Sequence, residues 1–238
     1  MSEILSIGND ILKINEDWLN VYDDLNPLNL PPFTIRVQTT DGEPPRPDQG
    51  PYWDSCVRVA GTTDQFDITK ASTNWSHLIT CAKNLKAILG ANSTGVLDMA
   101  FAFNSWLTIG SGGRNLEYVA KFDTSTVTNA CDMFLYQEKL TSIPAFNFTS
   151  LSGTQCGEGI FRSTGIRSIP ELKFSDSISD VSYMFGYCRK VESGILRMYN
   201  NLKDRPRIGI QHEECFRYCG YNTVTGAAEL AQIPSDWK

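Results

Sequence analysis

The sequence predicts an α/β repeat solenoid: short strands along one side, short helices or 3₁₀ turns along the other, and a β-rich arm of residues 1–30 ahead of it. Three observations carry this expectation. An apolar pattern recurs about every two dozen residues, its copies share a Thr/Ser/Asn-rich bridge, and the first thirty residues follow neither.

Residues 1–30 come first. "ILSIGNDILKINEDWLNVYDD" alternates short apolar runs with turn residues at Gly8-Asn9-Asp10 and Asn15-Glu16-Asp17, which predicts three short strands in a meander. So small a ribbon needs a packing partner, either the rest of the chain or another subunit. Residues 31–65 read as a connector and N-terminal cap: Pro31 and Pro32, with Pro27 before them, stiffen the chain into the strand "FTIRVQ", and a Pro/Gly-rich loop follows.

Residues 66–238 hold the repeat. Aligned on the residue closing the second apolar patch, Leu78, Phe103, Phe134, Phe161, Phe185 and Phe216 are spaced by 25, 31, 27, 24 and 31 residues. Each unit opens on a leucine-like residue with another three later: Leu85 and Ile88, Leu116 and Val119, Leu140 and Ile143, Ile166 and Ile169. That spacing suits a short strand. In "VSYMFGYC", Val181, Met184, Phe185 and Cys188 fall at i, i+3, i+4 and i+7, which predicts about two helical turns with one buried face. One such unit cannot bury its apolar face alone, whereas a stack can. Leu230, Ile233 and Trp237 in "AAELAQIPSDWK" are placed to cap the far end.

A period of 20 to 29 residues with this alternation points to leucine-rich repeats. "KLTSIPAFNFTS", "GIRSIPELKFSDSISDVSYMFGYC" and "NLEYVAKFDTSTVTNACDMF" resemble the BspA-like leucine-rich repeats of bacterial surface proteins and bacteriophage structural proteins. The resemblance covers about residues 57 to 219. "NSWLTIGSGGR", "GTQCGEGIF" and "RMYNNLKDRPRIGIQHEE" depart from the family pattern and are expected to project as loops.

Composition narrows the function. The 238 residues carry a formal net charge of −6, so there is no basic footprint for nucleic acid. No run of about 18 apolar residues is present, so no membrane insertion is expected. The N-terminus has acids inside its apolar stretch and no basic start, unlike a secretory leader. Seven cysteines, an odd number spread along the chain, read as reduced core thiols.

Catalytic motifs are scarce. The sequence has neither a G-x-S-x-G elbow nor an H-E-x-x-H pair, and "GSGGR" is not followed by the Lys-Ser/Thr of a phosphate loop. His212, Cys215 and Cys219 share one face if their segment is helical, as a metal site would require. Against that, Cys219 shares a repeat position with Cys81 and Cys188, and Cys215 stands where Met184 stands, so core packing is expected, with no metal and no cofactor. His77, aligned with Met133 and Met184, reads as a partly buried structural histidine.

Strand-side residues between the inward leucines are the candidate binding positions: Lys86, Glu117, Tyr118, Lys121, Ser142, Arg167 and Ser168. Tyr and Arg are favoured interface anchors, although a solvated face is the alternative. The expected function is therefore noncatalytic binding or structure. The resemblance implies a bacteriophage virion component, a fibre, tail or capsid decoration. It would attach to other virion proteins through residues 1–30 and display its solenoid to a host-surface protein or glycan. Phage particles assemble inside the cell and need no leader. A bacterial cell-surface adhesin is the alternative, an enzyme using the Cys/His group is a third reading, and homo-oligomerisation through the arm is open.

Overall fold

The computed structural model describes residues 26, 28–48, 50, 52–106, 114–206 and 211–238. The expected three-stranded meander of residues 1–30 lies outside the described residues except at its end. There, Leu30 is buried and its carbonyl accepts a hydrogen bond from the Asn92 side chain at 2.9 Å.

Strands predominate and sheets are mixed. β1 (Thr34–Thr39), β2 (Ser55–Arg58), β3 (Gln65–Thr69), β4 (Leu85–Asn92) and β5 (Tyr118–Val119) form one sheet in the order β2-β3-β1-β4-β5. β6 (Asn147–Phe148) and β7 (Lys173–Phe174) form a parallel pair. β1 alternates as a half-buried strand should: Ile35 and Val37 face the core while Arg36 pairs with Asp67 of β3 at 2.7 Å. The pairings within β2-β3-β1-β4 are antiparallel, whereas β4 and β5 run parallel. The N-terminal sheet thus passes edge to edge into the repeats, and the stretch "FDIT" belongs to β3 rather than to a repeat bridge.

From residue 75 onward, successive units pair through one backbone ladder. The amide of Ile79 donates to the Ala102 carbonyl, Phe103 to Met133, Phe134 to Ile160, Phe161 to Met184, Phe185 to Cys215, and Phe216 to Trp237, at 2.8–3.0 Å. This ladder corrects the alignment at its start. Ile79, not Leu78, is the partner of Phe103; Cys81 therefore falls in the column of Tyr187 and Tyr218, and His77 in that of Phe101 and Tyr183. Treating the first unit as ending on a cysteine shifted it by one residue.

The "VSYMFGYC" segments are not helices. Val181, Met184, Phe185 and Cys188 are fully buried as expected, but the chain reaches this through linked turns. Alternate amides close turns on the carbonyl three residues back, Met184 on Val181 and Gly186 on Tyr183, while the others donate to the next unit. Every fourth residue is left-handed, as at Asp132 and Tyr136 or Tyr183 and Tyr187. A four-residue turn period buries the same positions as two helical turns, so side-chain spacing alone cannot separate them. A helix would spend its amides internally and leave none for its neighbour.

The Thr/Ser/Asn bridges start each run of turns. Side chains of Asn74, Asp98, Asn129 and Asp180 each accept a hydrogen bond from the amide two residues on, at 2.8–3.1 Å. "GTQCGEGIF" lacks this residue yet stays in the stack, because the Ala130 amide still donates to the Cys156 carbonyl, so the expected projection is corrected. "RMYNNLKDRPRIGIQHEE" begins inside helix α1 (Ile195–Leu202), which packs with α2 (Val224–Ala231). Residues 107–113 and 207–210 of the other two insertions lie outside the described residues.

Aromatic rings fill the core. Phe103, Phe134, Phe161, Phe185 and Phe216 stack in order with centroids 5.5–5.9 Å apart, and Trp237 follows at 6.3 Å. A second row, Phe122, Phe146, Phe148 and Phe174, lies beside the first. Trp237, in a terminal 3₁₀ turn (Ser235–Trp237), is buried on Phe216, with Ile233 buried and Leu230 half-buried.

Candidate functional site: a polar groove on the strand side

Of the expected L-x-x-I strands, Leu85 and Ile88 lie in β4 and Val119 in β5, whereas residues 140–143 and 166–169 form no strand; the segments nevertheless bring the expected residues into columns. The Glu117 amide donates to the Lys86 carbonyl at 2.8 Å, Arg167 to Thr141 at 2.9 Å, and Glu192 to Arg167 at 2.7 Å. Along this column the charged residues alternate in sign: Lys86, Glu117, Arg167, Glu192. Arg167 and Glu192 face each other at 3.6 Å but are both largely exposed, so the pair contributes little to stability. Ser142 and Ser168 are exposed in the neighbouring position, where Ser168 bridges to Ser193. Tyr118 and Lys121 are half-buried, and burial pushes the Tyr118 phenol up.

Of the seven expected residues, Lys86 and Glu117 open into a cavity. They line a groove of about 720 Å³ between the start of the strand column and the N-terminal sheet. The opposite wall carries Thr39, Thr40, Thr62 and Thr63 with Asp41, Asp64 and Arg58, and Asn115 and Lys139 complete it. The repeat pattern gives no sign of that wall, because it exists only through the antiparallel pairing of β1 with β4 and β3. Thr141, Glu192 and Ser193 were missed for a simpler reason: carrying the repeat one unit further, to Val191 and Gly194, would have found the last two.

Most polar groups of the wall are held by neighbours. The Asp41 carboxylate accepts from Asn84 at 2.9 Å and pairs with Arg46; the Asn84 hydrogen bond is the main reason its carboxyl is held below the usual range. Asp64 accepts from Gln38 at 2.7 Å, Arg58 donates to the carbonyls of Gly42 and Thr63, and Lys139 donates to Asn115 at 2.7 Å. Lys86 and Glu117 are different. Lys86 is on β4 and Glu117 stands just before β5, joined to it by the backbone hydrogen bond above, and their side chains make neither an ion pair nor a hydrogen bond among the described residues.

The groove therefore offers a fixed polar wall and two uncommitted groups, one donor and one acceptor. Its lining holds neither histidine nor cysteine. The two histidines lie elsewhere. His77 stacks on Phe101 at 4.8 Å, and His212 stacks on Trp237 at 4.3 Å and meets Asp236 at 3.2 Å. Cys215 and Cys219 are fully buried among core residues, and burial drives both thiols up. Among the described residues no group of three His, Cys, Asp or Glu side chains could hold a metal ion.

In comparisons with known proteins, no family model, no curated protein and no solved structure matches the chain.

Proposed function

We propose that the chain is a noncatalytic leucine-rich-repeat solenoid that works by binding, as the displayed part of a bacteriophage virion component attached through its N-terminal arm. The virion placement rests on the resemblance of its repeats to BspA-like sequences. The binding reading rests on one observation: Lys86 and Glu117 stand uncommitted in a groove most of whose other polar groups are held in place. A preorganised wall keeps low the ordering cost that a ligand must meet. Four threonine hydroxyls, an amide and balanced charges suit a hydroxyl-rich neutral ligand, and the proposed class is a host-surface glycan.

The test is calorimetric titration of the full chain with a panel of neutral bacterial surface oligosaccharides, followed by mass spectrometry of the sugar. At least one oligosaccharide should bind and be recovered intact. Lys86→Ala and Glu117→Gln should each weaken it roughly tenfold, the effect of one lost charge-assisted hydrogen bond. Cleavage of the sugar would refute the noncatalytic reading, and equal affinity in both variants would refute the site.

A further inference from the structure

Three guanidinium groups converge on one phenol. The Cζ atoms of Arg162, Arg189 and Arg217 lie 5.7, 5.9 and 5.7 Å from the ring centroid of Tyr187. They come from successive units, drawn together by the ladder in which the Ser163 amide meets the Gly186 carbonyl and the Tyr187 amide that of Arg217. The rings themselves are left-handed turn residues, Tyr187 at φ 64° and Tyr218 at φ 53°. Arg189 and Arg217 also sit 5.4 Å from the Tyr218 ring, and Arg162 lies 4.4 Å from that of Tyr183.

The cations are unequally compensated. Arg217 is paired with Glu214, and Arg162 is near Asp132 and Glu158, although its buried Nε has no hydrogen-bond partner. Arg189 is exposed and makes neither an ion pair nor a side-chain hydrogen bond among the described residues. Like charges gathered round one ring repel each other, and an arriving anion relieves that repulsion. Beside them is an apolar flank: Tyr221, in edge contact with Tyr218 at 5.7 Å, is 62% exposed, and Val224 is 90% exposed.

We infer that this turn side of the stack docks a protein segment that presents carboxylates next to an apolar side chain. Guanidinium forks match carboxylates, and Tyr and Arg dominate the energetics of protein interfaces. Charge complementarity alone would also admit a sulfated glycan or a nucleic acid. Of these, nucleic-acid bases stack on open aromatic faces, whereas guanidinium groups already lie against Tyr187 and Tyr218. The exposed Val224 gives them nothing to bind and gives an apolar side chain a seat.

The experiment is fluorescence anisotropy of the full chain with a labelled short peptide of alternating Glu and Leu. The same peptide with Lys for Glu, and a sulfated oligosaccharide, are run alongside. The Glu peptide should bind saturably, weaken as salt rises, and lose roughly tenfold or more in affinity with Arg189→Glu and with Arg189→Gln. Melting temperatures of both variants should match that of the parent chain. Failure of the Glu peptide to saturate, equal affinity in folded variants, or binding of the sulfated oligosaccharide alone would each overturn the inference.

Discussion

Asp132 is the carboxylate whose replacement should stabilise the protein, and only at neutral pH. It is half-buried at a left-handed turn position, φ 50°, and its Oδ1 is buried without a hydrogen-bond partner. The next rung leaves room for it, since Gly159 has no Cβ and one added there would lie well inside contact distance of Oδ1. Burial and the neighbouring Glu158 push the carboxyl up from 3.8 to about 6, against the opposing pull of Arg162. A group whose affinity for a proton rises on folding contributes stability that is complete below its unfolded pKa and lost as pH rises through the folded one. The window here runs from about pH 4 to above pH 6. At about 1.4 kcal/mol per pH unit the full cost is about 3 kcal/mol, and partial exposure reduces it to about 1–3 kcal/mol. Asparagine keeps the shape, accepts a left-handed backbone and carries no charge. Asp132→Asn should therefore be more stable than the parent by about 1–3 kcal/mol at pH 8 and equal to it near pH 4. Urea unfolding at both pH values measures this. A difference that does not change with pH, or a loss of stability at pH 8, would show that a partner holds the carboxylate.

Phe161→Ala should cost about 3–5 kcal/mol in urea unfolding, because the ring is fully buried with Phe134 at 5.9 Å and Phe185 at 5.5 Å on either side. Gly159→Ala should cost more than about 1 kcal/mol, through its φ of +60° and the clash with Asp132; a neutral result in the same assay would contradict the close approach. Maleimide labelling of the native chain should yield one adduct, on half-buried Cys56, with the other thiols reacting only after unfolding. Mass spectrometry counts the adducts, and a second native label would show that the stack opens.

How much of this was legible depends on whether a residue's surroundings are local. Apolar spacing marked Met184, Phe185, Cys188 and Phe216 as inward because each repeats a neighbour's position, and all are fully buried. The same spacing could not reveal linked turns, because a period of four and a period of 3.6 agree over eight residues. The column follows from the inward leucines, so the pattern alone marks Lys86 and Glu117. It does not mark the facing wall, since Thr39, Asp41 and Arg58 reach the groove through long-range antiparallel pairing that leaves no periodic trace. The convergence on Tyr187 is only half periodic: Arg162 and Arg217 share a repeat position, held by Gly186 in the unit between them, whereas Arg189 lies outside that column, and the register of three rungs joins it to them.

The two proposed surfaces belong to different ladders of the same stack. Lys86 and Glu117 pair along the L-x-x-I rungs, Tyr187 along the turn rungs, and the buried phenylalanine rows belong to the core that both ladders enclose. No residue is shared between the groove and the arginine cluster. Close-packed rings resist small displacements, so a substitution in one surface reaches the other only by disturbing the stack itself. Distant sites without common partners behave additively. Loss of oligosaccharide affinity in Lys86→Ala and loss of peptide affinity in Arg189→Glu should therefore add without coupling in the double variant. If one ligand altered the affinity for the other, the rungs would have to shift in register together, and the repeats would form a two-state device rather than a rigid support for two separate contacts.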